Sequence, residues 1–415
     1  MARISIPRAP ARAHRAAPAA AASDRPSPAR LPRPAVLGRL ALSPGDRAVL
    51  GLYALTRVGV WLTAYCAAWL FPADPGAKRA PSYLSLWDRW DVGFFRRIAE
   101  YGYFSGTGAA GSARPDNREA FFPGYPMALR AVHSVVPGWT LSGLLISFFA
   151  GAVAVLALAR IARLHTPDEA AGQRAVLFLL ASPCAVFLAA GYTEALFLAF
   201  ALPSWLAAKK GNWALAAALA AGATTVRISG LFLAAGLAVQ FLVAGRERRQ
   251  WRSAPWLLLP ALPALAYTWY LHSGTGDWMA WQHAQERGWY RQFHWPWEAW
   301  HHTWQGAFSH GQTTGYAVMF QAELLAMVTG VLLLALLVIR RQWPEAVYIG
   351  LSLWALGTSY WYMSVPRSTL LWWPLWITLA VWSLRRPWLK TGYLCVAAPL
   401  MTVLTLVFTS GRWAG

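Results

Sequence analysis

The residues most able to do chemistry lie in a short run, WDRWDVGFFRRIAEYGY, residues 87–103. Asp88 and Asp91 are three apart, and Arg96 and Arg97 follow. A carboxylate can take a hydroxyl proton. Nearby guanidinium groups can neutralise a departing oxyanion. Together these types suit transfer of a group from a phosphate to an alcohol. The same residues also have plain structural readings. Either aspartate could cap a helix, and both arginines could face lipid phosphates.

The run needs a helix to position it. Its centre predicts one, with Trp90, Phe94, Ile98 and Tyr101 on one apolar stripe. Such an amphipathic helix is expected to lie in a membrane interface. FFPGYP, residues 121–126, closes the segment with two prolines and three aromatics. It cannot be regular helix.

The surrounding chain is expected to be all-α and polytopic. Of 415 residues, 57% are hydrophobic and 13% charged. That is too little charge for a soluble surface of this size. The apolar residues fall in runs of roughly 16–24, the length that crosses a hydrocarbon core. Helix is the form that satisfies backbone groups there. The runs predict about eleven transmembrane helices: 47–71, 138–162, 175–190, 193–208, 212–228, 230–244, 254–272, 317–339, 345–362, 369–384 and 391–409.

The net charge of +20 is distributed as a membrane topology signal. Basic clusters recur in alternate loops: Arg160 with Arg163 and Arg174, Lys209 with Lys210, Arg246 to Arg252, Arg340 with Arg341, and Arg385 to Lys390. Positive loops stay inside. The N-terminus is therefore expected in the cytoplasm of a plasma membrane, and nucleic-acid binding is not expected. The Arg-rich tail 1–45 reads as disordered, and 46–415 as one multi-span domain. Arg far outnumbers Lys, and Ala and Gly are abundant; this composition predicts a GC-rich bacterial genome. Cys66, Cys184 and Cys395 all fall in apolar runs and form no disulfide or metal pattern.

Two outer loops, about 72–137 and 273–316, are too long to be connectors alone. The second holds His272, His283, His294, His301, His302 and His310 with many tryptophans. Their spacing matches no metal motif, so no metal site is expected. The aromatics suit either membrane anchoring or a sugar-stacking wall.

Further candidates stand at outer helix ends. Glu194 follows Tyr192 and Thr193, and fits either a helix N-terminus or contact with a sugar hydroxyl. Arg227 and Arg367 are cations where positive charge is otherwise sparse. Each fits either snorkelling or a fork-like grip on phosphate.

These segments resemble a known family. Trp90-Asp91, then Phe95, Ile98, Ala99, Gly102 and Tyr103, then Phe121-Phe122-Pro123, Tyr125 and Pro126, are similar to the signature of PIG-V-type mannosyltransferases. Three later segments fit in order: SPCAVFLAAGYTEALF (182–197), TVRISGL (225–231) and, more loosely, SVPRSTLLWWPL (364–375). The resemblance spans roughly residues 85–375. It implies a multi-span glycosyltransferase of the GT-C class. The implied donor is a polyprenyl-phosphate sugar, mannose for this family. Reaction is implied on the outer membrane face, with an acidic residue of the first outer loop as base. Asp91 matches that residue, and Asp88 competes with it. On that chemistry Arg227, Arg367, Arg96 and Arg97 are expected at the donor phosphate. Glu194, Tyr192, Tyr103, Phe122 and Tyr125 are expected at the substrates. The acceptor is a glycan, lipid or protein hydroxyl. No resident cofactor is called for, and divalent-metal dependence is left open. The alternative class is a transporter or flippase of a lipid or sugar-lipid. Against it, no internal repeat is evident and the acidic residues sit at outer ends.

Overall fold

The structure, a computed structural model, describes residues 42–71, 81–104, 117–245 and 249–415. The chain divides into Met1–Leu42 and Ser43–Gly415, and all that follows concerns the second unit. The expected tail therefore lies outside the described residues up to position 41, as do Arg246 and Arg248.

The described residues are helical, and no strand occurs among them. In order the α-helices are α1 Pro44–Leu70, α2 Asp91–Tyr101, α3 Gly124–His133, α4 Trp139–Ala162, α5 Ala170–Leu180, α6 Thr193–Lys209, α7 Trp213–Val226 and α8 Ser229–Val243. They continue as α9 Ala261–Thr275, α10 Ala280–Trp289, α11 Pro296–Phe308, α12 Thr314–Ile339, α13 Trp343–Gly357, α14 Val365–Ser368, α15 Trp373–Arg385 and α16 Pro387–Thr409. Among them α1, α4, α12 and α16 are long and apolar enough to cross a membrane. The helices α5, α7 and α8 are apolar but shorter.

Several expected spans are broken by proline. The run 175–190 is α5 followed by a separate 3₁₀ turn, Ala185–Leu188. Pro183 stands between them and has no N–H to continue the ladder. The run 254–272 likewise divides into a 3₁₀ segment, Trp251–Leu258, and α9. Near residue 366 the chain makes the one-turn α14 before α15 begins with Pro374 in its first turn.

Helix α1 starts cleanly. The Ser43 hydroxyl accepts from the Asp46 N–H at 3.1 Å, Asp46 returns the bond to the Ser43 N–H, and Pro44 sits in the first turn. Asp46 also takes Arg160 and Arg163 from the end of α4, each at 2.8 Å. Lys209 at the end of α6 meets Glu345 at the start of α13 at 3.0 Å. Arg174 near the start of α5 donates to Ser383 near the end of α15. Of the basic clusters read from the sequence, Arg160, Arg163, Arg174 and Lys209 thus pair at these helix ends.

The core is built on α6, which packs against both α4 and α7. Small residues permit this closeness. The Ser204 hydroxyl on α6 donates to the Ala216 carbonyl of α7 at 2.6 Å, and Ser147 on α4 donates to the Ala190 carbonyl at 2.5 Å. Helix α2 lies over the opposite end of the bundle from the basic clusters. Its buried stripe is Val92, Phe95, Ile98 and Ala99. This differs from the expected stripe, because Trp90 precedes the first turn and, like Tyr101, stays half exposed.

Candidate active site

Three chain segments meet where α2, α6 and α14 begin. At the first, Trp90 adopts φ 54°, a strained backbone for a bulky residue. The kink is held by Tyr192, whose hydroxyl donates to the Arg89 carbonyl at 3.2 Å and accepts from the Asp91 N–H at 3.3 Å. Asp91 then opens α2. Neither Asp88 nor Asp91 makes the capping bond that is one of their plain readings.

At the second segment, Glu194 sits in the first turn of α6 and is fully buried. Thr193 does not cap this helix. Its hydroxyl instead accepts from Arg227 at 2.6 Å. Arg227 ends α7, and two glycines fix it there. A Cβ on Gly124 would come within 2.7 Å of the Thr225 backbone, and one on Gly230 within 2.4 Å of the Thr224 backbone. Only glycine permits both approaches.

At the third segment, Ser364 takes φ 66°, which aims the one-turn α14 and Arg367 inward. This turn is anchored from α12 by Glu323, also fully buried. Its two carboxylate oxygens accept from the Ser364 and Val365 N–H groups, each at 2.7 Å.

The result is a chain of charge. Arg367 donates from Nη1 to Asp91 Oδ2 at 2.9 Å and from Nε to Glu194 Oε1 at 2.5 Å. Arg227 Nη1 reaches the same Glu194 oxygen at 2.8 Å. The Arg367 guanidinium also lies over the rings of Phe187, at 5.0 Å, and Tyr192, at 4.8 Å. Burial pulls its pKa down, but Glu194 and Asp91 outweigh burial and hold it above the ordinary guanidinium value. Burial, then Asp91, push the Tyr192 phenol well up.

Asp91, Arg227 and Arg367 line a cavity of ≈ 160 Å³ together with Arg291, from the link between α10 and α11. Arg291 has no ion-pair partner among the described residues, and its Nε is buried without a hydrogen bond. Burial, then Arg227 and Arg367, draw its pKa down to about 10. Its apolar lining includes Phe95, Phe121 and Phe122 near α2, and Val226, Phe232 and Leu356 from α7, α8 and α13; Thr193, Ser229, Gln285, Ser352, Ser364 and Ser368 add polar groups.

Of the expected site residues, Asp91, Arg227, Arg367 and Phe122 line this cavity. Glu194 lines no cavity described here, and stands behind the two arginines as their counter-ion. Tyr103 and Tyr125 are buried supports. Tyr103 donates to the Phe121 carbonyl at 2.7 Å, and Tyr125 packs on Phe95 at 4.8 Å between ring centres. Asp88, Arg96 and Arg97 stand apart. Asp88 meets Arg96 at 3.9 Å on the solvent side, and Arg97 lies over Phe94.

Two residues escaped the sequence reading. Arg291 was hidden among tryptophans, although a cation in the outer loops was itself the signal. Glu323 looked like part of an apolar span. A carboxylate inside such a run is a functional candidate by default. Among the described residues no group of three or more His, Cys, Asp or Glu is placed to hold a metal ion.

The arrangement joins a carboxylate, three guanidinium groups and an apolar wall, which is the layout of a site for an amphiphilic anion. Comparison with known proteins gives it a family setting. Residues 77–245 match the family model described as mannosyltransferase (PIG-V). GPI alpha-1,6-mannosyltransferase 2 of Mus musculus is 34% identical over 184 residues, 40% of this chain and 34% of that protein. The Rattus norvegicus protein of the same name is 40% identical over 180 residues, 39% of this chain and 33% of that protein. The Homo sapiens protein is 34% identical over 154 residues, 34% of this chain and 29% of that protein. The chain thus spans about a third of the length of the curated relatives it matches. Among solved structures, ArnT from Cupriavidus metallidurans bound to undecaprenyl phosphate aligns with a TM-score of 0.45 and 14% identity, over 87% of this chain and 76% of that one. Asp91, Glu194 and Arg227 fall inside the matched stretch, while Arg291, Glu323 and Arg367 lie beyond it.

Proposed function

We propose that the protein transfers a sugar, mannose by family likeness, from a polyprenyl-phosphate carrier to an acceptor hydroxyl. One observation carries the reading: the cavity beside Asp91 is lined both by the guanidinium residues Arg227, Arg291 and Arg367 and by the apolar Val226, Phe232 and Leu356. A lipid-linked phosphate needs both surfaces. The guanidinium groups hold the phosphate, and the apolar wall leads its chain toward the bilayer.

The step then follows. Asp91 accepts the proton of the acceptor hydroxyl. The acceptor oxygen attacks the anomeric carbon of the sugar. The bond from that carbon to the phosphate oxygen breaks, and its electron pair leaves on the phosphate. Attack opposite the leaving phosphate inverts the anomeric centre. Three guanidinium groups face the two carboxylates Asp91 and Glu194, leaving one positive charge to meet the phosphodiester. As the phosphate gains a negative charge, Asp91 loses its own by protonation. The summed charge of the site is unchanged through the reaction, so no charge must be imported.

The topology belongs to the same proposal. Eleven spans with the basic loops inside set this cavity on the outer face, where Asp91 opens an interfacial helix. Residues 1–45 form an inner tail.

The test uses membranes supplied with labelled polyprenyl-phosphate sugars, comparing wild type with Asp91→Asn at matched expression. Transfer is expected to fall by about 10²-fold or more, the range for loss of a general base. Unchanged transfer would remove Asp91 from this role and promote Asp88. No turnover of any such donor by wild type would favour the transporter class. Tag accessibility that puts residues 85–104 on the cytoplasmic side would overturn the topology.

A further inference from the structure

A separate cavity, of ≈ 190 Å³, shares no lining residue with the one beside Asp91. The two stand back to back. Tyr348 borders the first, Trp373 borders the second, and their rings pack at 4.3 Å between centres. The separate cavity is bordered by Arg340, directly after α12, and by His165, just after α4. Both of these helices are long and apolar enough to cross a membrane. Basic pockets at the ends of such helices lie at the depth of lipid headgroups.

We infer that this cavity binds a phosphate ester with an apolar substituent, at a site separate from the one beside Asp91 and whatever reaction that one performs. Three kinds of donor border it. Arg340 is a cation with no ion-pair partner among the described residues, and its guanidinium packs over Trp382 at 5.6 Å. Gln342 and Glu345 border the cavity from the start of α13, where no side chain caps the first N–H groups. Such N–H groups favour an anion. Thr378, on α15, is only 7% exposed, and its hydroxyl has no hydrogen-bond partner among the described residues. A hydroxyl at that depth is ordinarily paired, so a ligand oxygen supplies the missing partner.

Charge selects an anion over a zwitterion. Glu345 is the one acid among the described lining residues, and Lys209 already meets it at 3.0 Å. That pair leaves the Arg340 charge unanswered. Phosphate suits the donor set, because its oxygens accept from several directions at once and pair well with a guanidinium. The remaining walls, Trp205, Trp373, Pro374, Ile377 and Val381, are apolar. A bare, hydrated anion gains nothing from them, whereas the apolar part of an ester does. Two sources carry this chemistry: the headgroup of an anionic phospholipid, and a soluble phosphate ester.

The experiment measures binding to the purified full-length protein. The probes are phosphatidylglycerol in mixed micelles, phosphatidylcholine as the zwitterionic control, and phenyl phosphate in solution. Wild type is compared with Arg340→Gln, Thr378→Val and Arg341→Gln. Arg341 is exposed in the same turn but does not border the cavity, so its substitution removes an equal charge nearby. Arg340→Gln is expected to weaken the bound probe about tenfold or more, and Thr378→Val about threefold, the effects of a charged and a neutral hydrogen bond. Arg341→Gln should change affinity by less than about threefold. Tighter binding of phosphatidylglycerol assigns the lipid source, and tighter binding of phenyl phosphate the soluble one. Thermal melting of the unliganded variants checks that each is folded. Equal losses in Arg340→Gln and Arg341→Gln would overturn the inference, because surface charge alone would then explain binding. Unchanged affinity in both Arg340→Gln and Thr378→Val would do so too, as would phosphatidylcholine binding as tightly as phosphatidylglycerol, or no binding of any probe by wild type.

Discussion

Glu323 offers the sharpest test of how the site is held. It touches neither Asp91 nor the cavity, yet it fixes the turn that delivers Arg367. Ser364 in the left-handed region carries about 1–2 kcal/mol of strain, so the turn needs an anchor. Both Glu323 oxygens accept from N–H groups, the arrangement of a carboxylate rather than of a carboxylic acid with an O–H of its own to place; each such charge-assisted bond contributes about 1.5–3 kcal/mol, against about 1 kcal/mol for a neutral acceptor. Glu323→Gln keeps one acceptor oxygen, and turns an amide donor toward the other N–H. The aligned turn should lose about 2–3 kcal/mol, one charge-assisted bond in size. If that loss falls locally on α14, the aligned population drops by roughly 30- to 150-fold. The expected result is a fall of that order in transfer from a polyprenyl-phosphate sugar, with only a modest fall in melting temperature. Affinity for undecaprenyl phosphate, read on the purified protein, should fall in parallel. In an Arg367→Ala background the same substitution should change that affinity little, since the guanidinium it aims is gone. Full additivity of the two substitutions, or unchanged turnover in Glu323→Gln, would refute the reasoning.

Removing Arg291 should separate stability from function. Arg291→Met takes away a cation with no ion-pair partner, and should raise the melting temperature of the unliganded protein while raising the donor KM about tenfold or more. The Arg291 cation is present below about pH 10 and lost above it. Donor affinity in wild type should therefore weaken as pH rises through 10, and Arg291→Met should lack that limb. Glu194→Gln removes the charge that holds Arg227 and Arg367 together; a loss of about 2 kcal/mol or more, seen in thermal melting, should accompany a fall in transfer. Gly230→Ala forces a Cβ into the Thr224 backbone; it should displace Arg227 and reduce donor affinity more than Ala substitution at Gly51, where a Cβ meets nothing within 4 Å.

What the sequence made legible was whatever depends on local chemistry. Apolar runs gave the helices, and the prolines that divide them were visible, but the reading let hydropathy outweigh them at Pro183 and Pro260. The stripe on α2 was misplaced because a period of 3.6 leaves its phase free when the first turn is unknown. Asp91, Arg227 and Arg367 could be singled out because each breaks an apolar or sparsely charged setting. Their separation in the chain, 276 residues between Asp91 and Arg367, says nothing of their meeting. That meeting depends on close packing between helices, which Gly124 and Gly230 permit by lacking a side chain.

Glu194 was legible by type, and its partners were not. Its place at a helix start was readable from Tyr192-Thr193-Glu194. Its work follows from burial. A carboxylate with no exposed surface cannot be left unpaired, and one oxygen here receives both arginines. Those arginines are thereby fixed by the protein itself, and would need no ordering by an anionic ligand. Asp91 is held differently. Arg367 takes one of its oxygens, and the carboxylate still borders the cavity. On the proposed reaction the same guanidinium would orient Asp91 and face the leaving group, so α14 would couple the two halves of the step. A one-turn helix can do this only if its backbone is locked, and Glu323 supplies the lock.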